Sequence, residues 1–100
     1  MTTLLKVIKQ GVDEKIVYSV DTSRWGGSPL NVDVKIYESA GKTKTDVTSS
    51  CLIGDPAVVG NVISTPAVHS LVADKKYRLE VLFDSDTDTL EFIILIYAKD

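Results

Sequence analysis

The stretch Leu71-Val72-Ala73-Asp74-Lys75-Lys76-Tyr77-Arg78-Leu79-Glu80-Val81-Leu82-Phe83 decides how this 100-residue chain folds. It is a polar turn running into a segment with two chemically distinct sides, Tyr77, Leu79, Val81 and Phe83 on one and Arg78 and Glu80 on the other. An extended backbone sends successive side chains to opposite faces, so this alternation describes a half-buried strand. Each large apolar side chain gains roughly 1.5–3 kcal/mol on full burial, more than a single surface contact supplies, so the remaining elements are expected to pack against this side.

Working outward, Asp84 to Asp88 is a polar loop between two strongly apolar segments, the pattern of a hairpin. The last segment, Thr89 to Ala98, places Leu90, Phe92, Ile94 and Ile96 on one face and Ile93, Leu95 and Tyr97 on the other. A terminal strand of a single-core sandwich is expected to be polar on its outer face. A doubly apolar one implies a cover, which another chain could supply.

Upstream, Leu4 to Lys9 reads as a first, edge strand and Gln10 to Asp13 as a turn. Glu14 to Asp21 reads as a strand with Ile16, Tyr18 and Val20 on one face, and Thr22 to Leu30 as a loop broken by Gly26, Gly27 and Pro29. Asn31 to Glu38 alternates most cleanly, Val32, Val34 and Ile36 against Asp33, Lys35 and Tyr37, as an inner strand with one wet face should. Ser39 to Thr45 reads as a surface connection, and Asp46 to Ile53 as a short, weakly apolar strand carrying Val47, Ser49 and Cys51 on one side. Ala57 to Ser64 reads as a strand that Gly60-Asn61 either bends or folds into a tight hairpin. Short strands with turn signals every 8 to 12 residues, and no sustained helical period, predict an all-β, antiparallel sandwich of about seven strands in one domain, 1–100.

Composition limits the function classes. At 44% hydrophobic and 25% charged residues the chain is neither disordered nor membranous in character, and a net charge of -3 with scattered Lys and Arg argues against a nucleic-acid partner. The longest apolar run is far short of the ~20 residues a bilayer requires, so no membrane association is expected. The start lacks the n-region and h-region of a signal peptide, and the single Cys51 cannot form an internal disulfide; both point to synthesis in the cytoplasm.

Candidate chemistry is sparse. Asp84, Asp86 and Asp88 have the spacing that opens a calcium loop, but Thr89 stands where such a loop needs Gly and Leu95 where it needs Glu, which favours a solvated turn. His69, Ser70 and Asp74 lie close in sequence, yet catalytic sets are recognised by spatial convergence, and His69 reads as a surface residue of the corner loop. A lone His and a lone Cys do not make a zinc site, and Cys51 reads as a small buried hydrophobe. Trp25 could be a binding platform or a plug at one end of the core; the usual deep burial of Trp favours the plug. No catalytic residue, cofactor or metal ligand is assigned, and the chain is expected not to be an enzyme.

Two resemblances add to this reading. Tyr77, after a turn containing Asp74 and six residues beyond Leu71, resembles the tyrosine corner of immunoglobulin-like sandwiches, where the phenol bonds to backbone a few residues upstream. The segment Ile53 to Leu71, then Val72 to Val81, together with Tyr18-Ser19-Val20-Asp21 and Trp25, is similar to small virion-associated proteins of tailed bacteriophages, of the fiber-tail adaptor or head-tail region type. Members often carry Gly where this chain has Asp74. The resemblance implies an immunoglobulin-like sandwich acting as a non-enzymatic structural part of a phage or prophage particle. Neighbouring virion proteins would be its partners, with self-association also open, and the virion its location. Ile93, Leu95 and Tyr97 then become interface candidates, Tyr77 and Leu71 the fold-defining corner, and Trp25 and Tyr37 possible loop contacts. The rival expectation is a sugar- or cation-binding accessory module using Trp25, Tyr37 and the Asp84 to Asp88 loop.

Overall fold

The computed structural model describes residues 3–25, 28–85 and 88–100. Its strands are β1 (Thr3–Gly11), β2 (Ser19–Asp21), β3 (Leu30–Ala40), β4 (Thr43–Asp46), β5 (Leu52–Ile53), β6 (Ala57–Val59), β7 (Val62–Ser64), β8 (Ala67–Val68), β9 (Lys76–Ser85) and β10 (Asp88–Lys99), with a single helical turn, α1 (Thr48–Cys51). One layer of this all-β sandwich is a five-stranded sheet in the order β1-β10-β9-β3-β4. Facing it are a three-stranded sheet, β2-β7-β6, and the short pair β5-β8.

The deciding stretch behaves as its alternation requires. Tyr77, Leu79, Val81 and Phe83 are buried, while Arg78 and Glu80 lie on the opposite, wetter face. β9 sits at the centre of the large sheet, and register carries its pattern sideways. Ile36 and Ile94 both pair with Leu79, and Val34 and Phe92 both pair with Val81, so apolar rungs cross three strands on one face. Val20, Cys51, Ile63, Val68 and Leu71 close the same cluster from the other layer.

The Tyr77 phenol bonds to backbone upstream: the Val72 N–H donates to Tyr77 Oη at 2.9 Å, and burial pushes the Tyr77 hydroxyl pKa up. Asp74 adopts a φ of 67°, a left-handed conformation that Asp tolerates better than most side chains. Of the two alternatives at Gly60-Asn61, a bend or a tight hairpin, the hairpin forms between β6 and β7, with Gly60 at a φ of 61° in the first turn position, where such two-residue turns demand positive φ.

Several expectations are corrected. The large sheet is mixed, because β1 runs parallel to β10 from Thr3↔Glu91 to Gly11↔Lys99, and the described residues form ten strands where about seven were expected. Two strands at opposite ends of a sequence carry no turn signal that would reveal such a pairing. β1 continues through Gln10 and Gly11, so the turn expected over Gln10 to Asp13 begins later, closed by the Glu14 N–H donating to the Gly11 carbonyl at 3.0 Å. The expected connection at Ser39 to Thr45 is a β3-β4 hairpin, closed at Ala40↔Thr43. Of the expected strand Glu14 to Asp21 only Ser19 to Asp21 joins a ladder, with Ile16 forming an isolated bridge to Val68.

Asp46 to Ile53 is not one strand. Val47 and Cys51 are four apart, a spacing shared by a strand face and a helix turn, and hydrogen bonding selects the turn. Ser50 N–H and Cys51 N–H both donate to the Val47 carbonyl, and the Asp46 carboxylate accepts the Thr48 N–H at 2.9 Å. Such a local side-chain bond competes with a sheet ladder. Thr48 Oγ1 then accepts the Ile36 N–H at 3.1 Å, fixing the turn against β3.

Candidate docking surface

Parallel pairing of the two chain ends builds the outer face of the large sheet at its β1 edge. Register sets Val7 beside Leu95 and Lys9 beside Tyr97, and on the other side Arg78 beside Leu95 and Lys76 beside Tyr97. Two adjoining rungs thus read Val7-Leu95-Arg78-Tyr37 and Lys9-Tyr97-Lys76-Ser39 across four strands. Val7 is 53% exposed and Tyr97 36%, flanking the half-buried Leu95.

Ile93 lies differently from the expectation placed on it: at 3% exposure it is already covered within this chain. On the same face, the neighbouring position on β9 is Glu80, whose carboxylate accepts from Arg78 Nε at 2.6 Å and from Lys44 Nζ at 3.1 Å. Arg78 also reaches Glu91 at 4.0 Å. Long charged side chains can lay their methylenes over apolar neighbours while the heads stay in water, and this ion-paired group borders Ile93 in the sheet. Ion pairs of this sort near the surface add only about 0–1 kcal/mol each.

The remaining candidates are dispersed. Trp25 is the last residue of a short 3₁₀ turn, Ser23–Trp25, and packs edge-on against Phe83, centroids 5.6 Å apart, while its carbonyl accepts from Ser85 Oγ. It therefore caps one end of the inner core. Tyr37 is on the outer face of the large sheet with the Lys44 ammonium 4.4 Å from its ring centroid. These two aromatic rings are on opposite faces of the sheet and form no common site. A shallow depression of about 120 Å³ beside Tyr37 is lined by Asp33, Lys35, Glu80, Leu82 and Glu91 as well.

Asp84 is committed locally: its two carboxylate oxygens accept from Asn31 Nδ2 at 2.9 Å and Thr89 Oγ1 at 2.7 Å, holding its pKa below the usual carboxylate range. Asp86 lies outside the described residues. His69 Nδ1 contacts Ser70 Oγ at 2.7 Å, a neighbour-to-neighbour contact. Cys51 is buried, with its thiol pKa pushed up first by burial and then by the Glu38 charge, the reverse of what activates a nucleophile. Among the described residues no group of three or more His, Cys, Asp or Glu side chains could hold a metal ion.

Sequence reasoning missed Val7. Its weak alternation in the first strand carries no hint that it lies beside Leu95; only the pairing of the two chain ends brings them together.

The fold defines an all-β sandwich presenting a mixed aromatic, aliphatic and basic edge surface. No protein-family model matches the chain, and no curated protein matches it.

Proposed function

We propose that this protein is a non-enzymatic structural adaptor of a phage or prophage particle, an immunoglobulin-like module that docks a neighbouring virion subunit through the outer β1-β10 face. The observation that carries this reading is the juxtaposition of Val7, Leu95 and Tyr97 at a sheet edge, ringed by Lys9, Lys76 and Arg78. Interface centres favour apolar and aromatic side chains together with Arg, and their rims are polar. The β1 edge adds backbone donors and acceptors that a partner strand can take up. The tyrosine-corner hydrogen bond supports the immunoglobulin-like part of the reading, and the likeness of Ile53 to Val81 to virion-associated proteins supports the particle.

The test is binding of the purified chain to each structural protein encoded by the adjacent genes, measured by calorimetry for the parent and for Leu95→Lys and Val7→Lys. Saturable binding to one of them, weakened at least tenfold by either substitution with the unfolding midpoint held, is expected. Binding that ignores both substitutions, or binding to none of those proteins, overturns the proposal.

A further inference from the structure

A second surface lies in the other layer, at the free edge of β6. Val59 is 78% exposed, Val58 40% and Val62 37%, and the whole strand, Ala57-Val58-Val59, carries no charge. Register separates the two sides of this edge. Val59 pairs with Val62 on the solvent face, whereas Val58 pairs with the fully buried Ile63 on the core side. The edge is therefore apolar above and below, as an interior strand would be.

The direction of its backbone groups follows from the ladder. The Thr22 N–H donates to the Asn61 carbonyl at 2.7 Å and the Thr65 N–H to the Tyr18 carbonyl at 2.8 Å. In an antiparallel ladder the pairs that exchange hydrogen bonds alternate with pairs that do not. Thr22/Asn61 and Tyr18/Thr65 are bonded pairs, so Val20/Ile63, two positions from each, is bonded as well. Ile63 thus spends its backbone groups on β2, and its other neighbour, Val58, is left with both its N–H and its carbonyl directed away from β7.

We infer that β6 is a self-pairing edge: two copies of this chain join antiparallel about a two-fold axis at Val58, each Val58 N–H donating to the Val58 carbonyl of the other copy. That register sets Ala57 of each copy opposite Val59 of the other. It merges the two three-stranded sheets into one continuous sheet and lets each Val58 cover the other on the core side. Charge selects a second copy as the occupant. Like charges directly opposite each other weaken a strand pair, and a neutral strand meeting itself has none. The other edges of the two larger sheets carry them: Lys6 and Lys9 on β1, Lys44 and Asp46 on β4, Asp21 on β2. Pro56 before the strand and the Gly60 turn after it confine the contact to three residues, so the dimer is reversible and concentration-dependent. This surface is separate from the β1-β10 face and does not depend on it.

Sedimentation equilibrium of the full chain up to millimolar protein tests the inference, with Val58→Pro, Val58→Lys and, as control, Leu95→Lys. Proline at an edge position whose N–H faces solvent leaves the β7 ladder intact while deleting the intermolecular donor. Lysine instead sets two ammonium groups across the two-fold axis. The parent and Leu95→Lys are expected to pass from monomer to dimer with the same constant, and both Val58 variants to stay monomeric over the whole range. If Val58→Pro does not fold, Val58→Lys decides. A parent that remains monomeric, a dimer that survives in a folded Val58 variant, or a dimer lost in Leu95→Lys overturns it.

Discussion

The side-chain amide of Gln10 donates to the carbonyl oxygen of Val68 at 2.9 Å, tying the end of β1 to β8 in the facing layer. The same nitrogen donates to the Glu14 carbonyl at 3.1 Å, and the Gln10 oxygen accepts from the Tyr18 hydroxyl. A fully buried glutamine is stable only when its donors and acceptors are met, and here one side chain meets backbone from two segments and a phenol from one of them.

Gln10→Leu keeps the volume and deprives the Tyr18 hydroxyl of its acceptor and the Glu14 carbonyl of its side-chain donor, while the Val68 carbonyl keeps the Ile16 N–H. A loss of about 1–3 kcal/mol per buried group left without a partner is expected in urea unfolding. An unchanged midpoint would show that water replaces the amide.

Burial, and then the Glu14 charge, pushes the Tyr18 hydroxyl pKa from 10.0 up to about 12. The folded chain therefore holds this proton more tightly than the unfolded chain does. The stability so gained is complete below pH 10 and is lost as pH rises from 10 toward 12; the raised Tyr77 acts in the same direction. Denaturation midpoints collected from pH 8 upward should fall across that interval, and less steeply in Tyr18→Phe.

Tyr77→Phe removes only the oxygen that accepts the Val72 N–H. A cost of about 1–3 kcal/mol is expected, with faster hydrogen exchange at the Val72 amide. Equal exchange in both proteins would mean the corner bond does not hold that turn.

Leu79→Ala, at the centre of the apolar rungs, should cost about 2–5 kcal/mol. Ile93→Lys should also destabilise strongly, because Ile93 is buried and a lysine there loses its apolar burial or buries a charge. Leu95→Lys and Val7→Lys should change the unfolding free energy by less than either. Thermal denaturation of the four variants side by side tests the order.

Much of the architecture was legible in residue order. Period-two alternation in β9 and β3 identified core strands and their buried sides, because a strand half in water must alternate. The Gly60-Asn61 turn and the Tyr77 corner were legible for a similar reason: positive φ and a buried phenol each demand particular residues at particular offsets. Val47 and Cys51 misled because a spacing of four fits both a strand face and a helix turn, and the Asp46-Thr48 bond that selects the turn leaves no periodic trace. The apolar residues on both faces of β10 were legible, but not that Ile93 on its outer face is buried within this chain.

The sequence by itself determined an all-β chain, which of its faces are apolar, and where most of its turns fall, since these depend on neighbours one to four residues apart. Tertiary structure alone decided that the two chain ends run parallel, that Gln10 reaches Val68, that Ile93 is buried while Val7 comes to lie beside Leu95, and that the backbone of Val58 faces outward. Each of these depends on register between segments far apart in sequence, and shifting a strand by one residue turns every side chain to the other face without altering the local pattern.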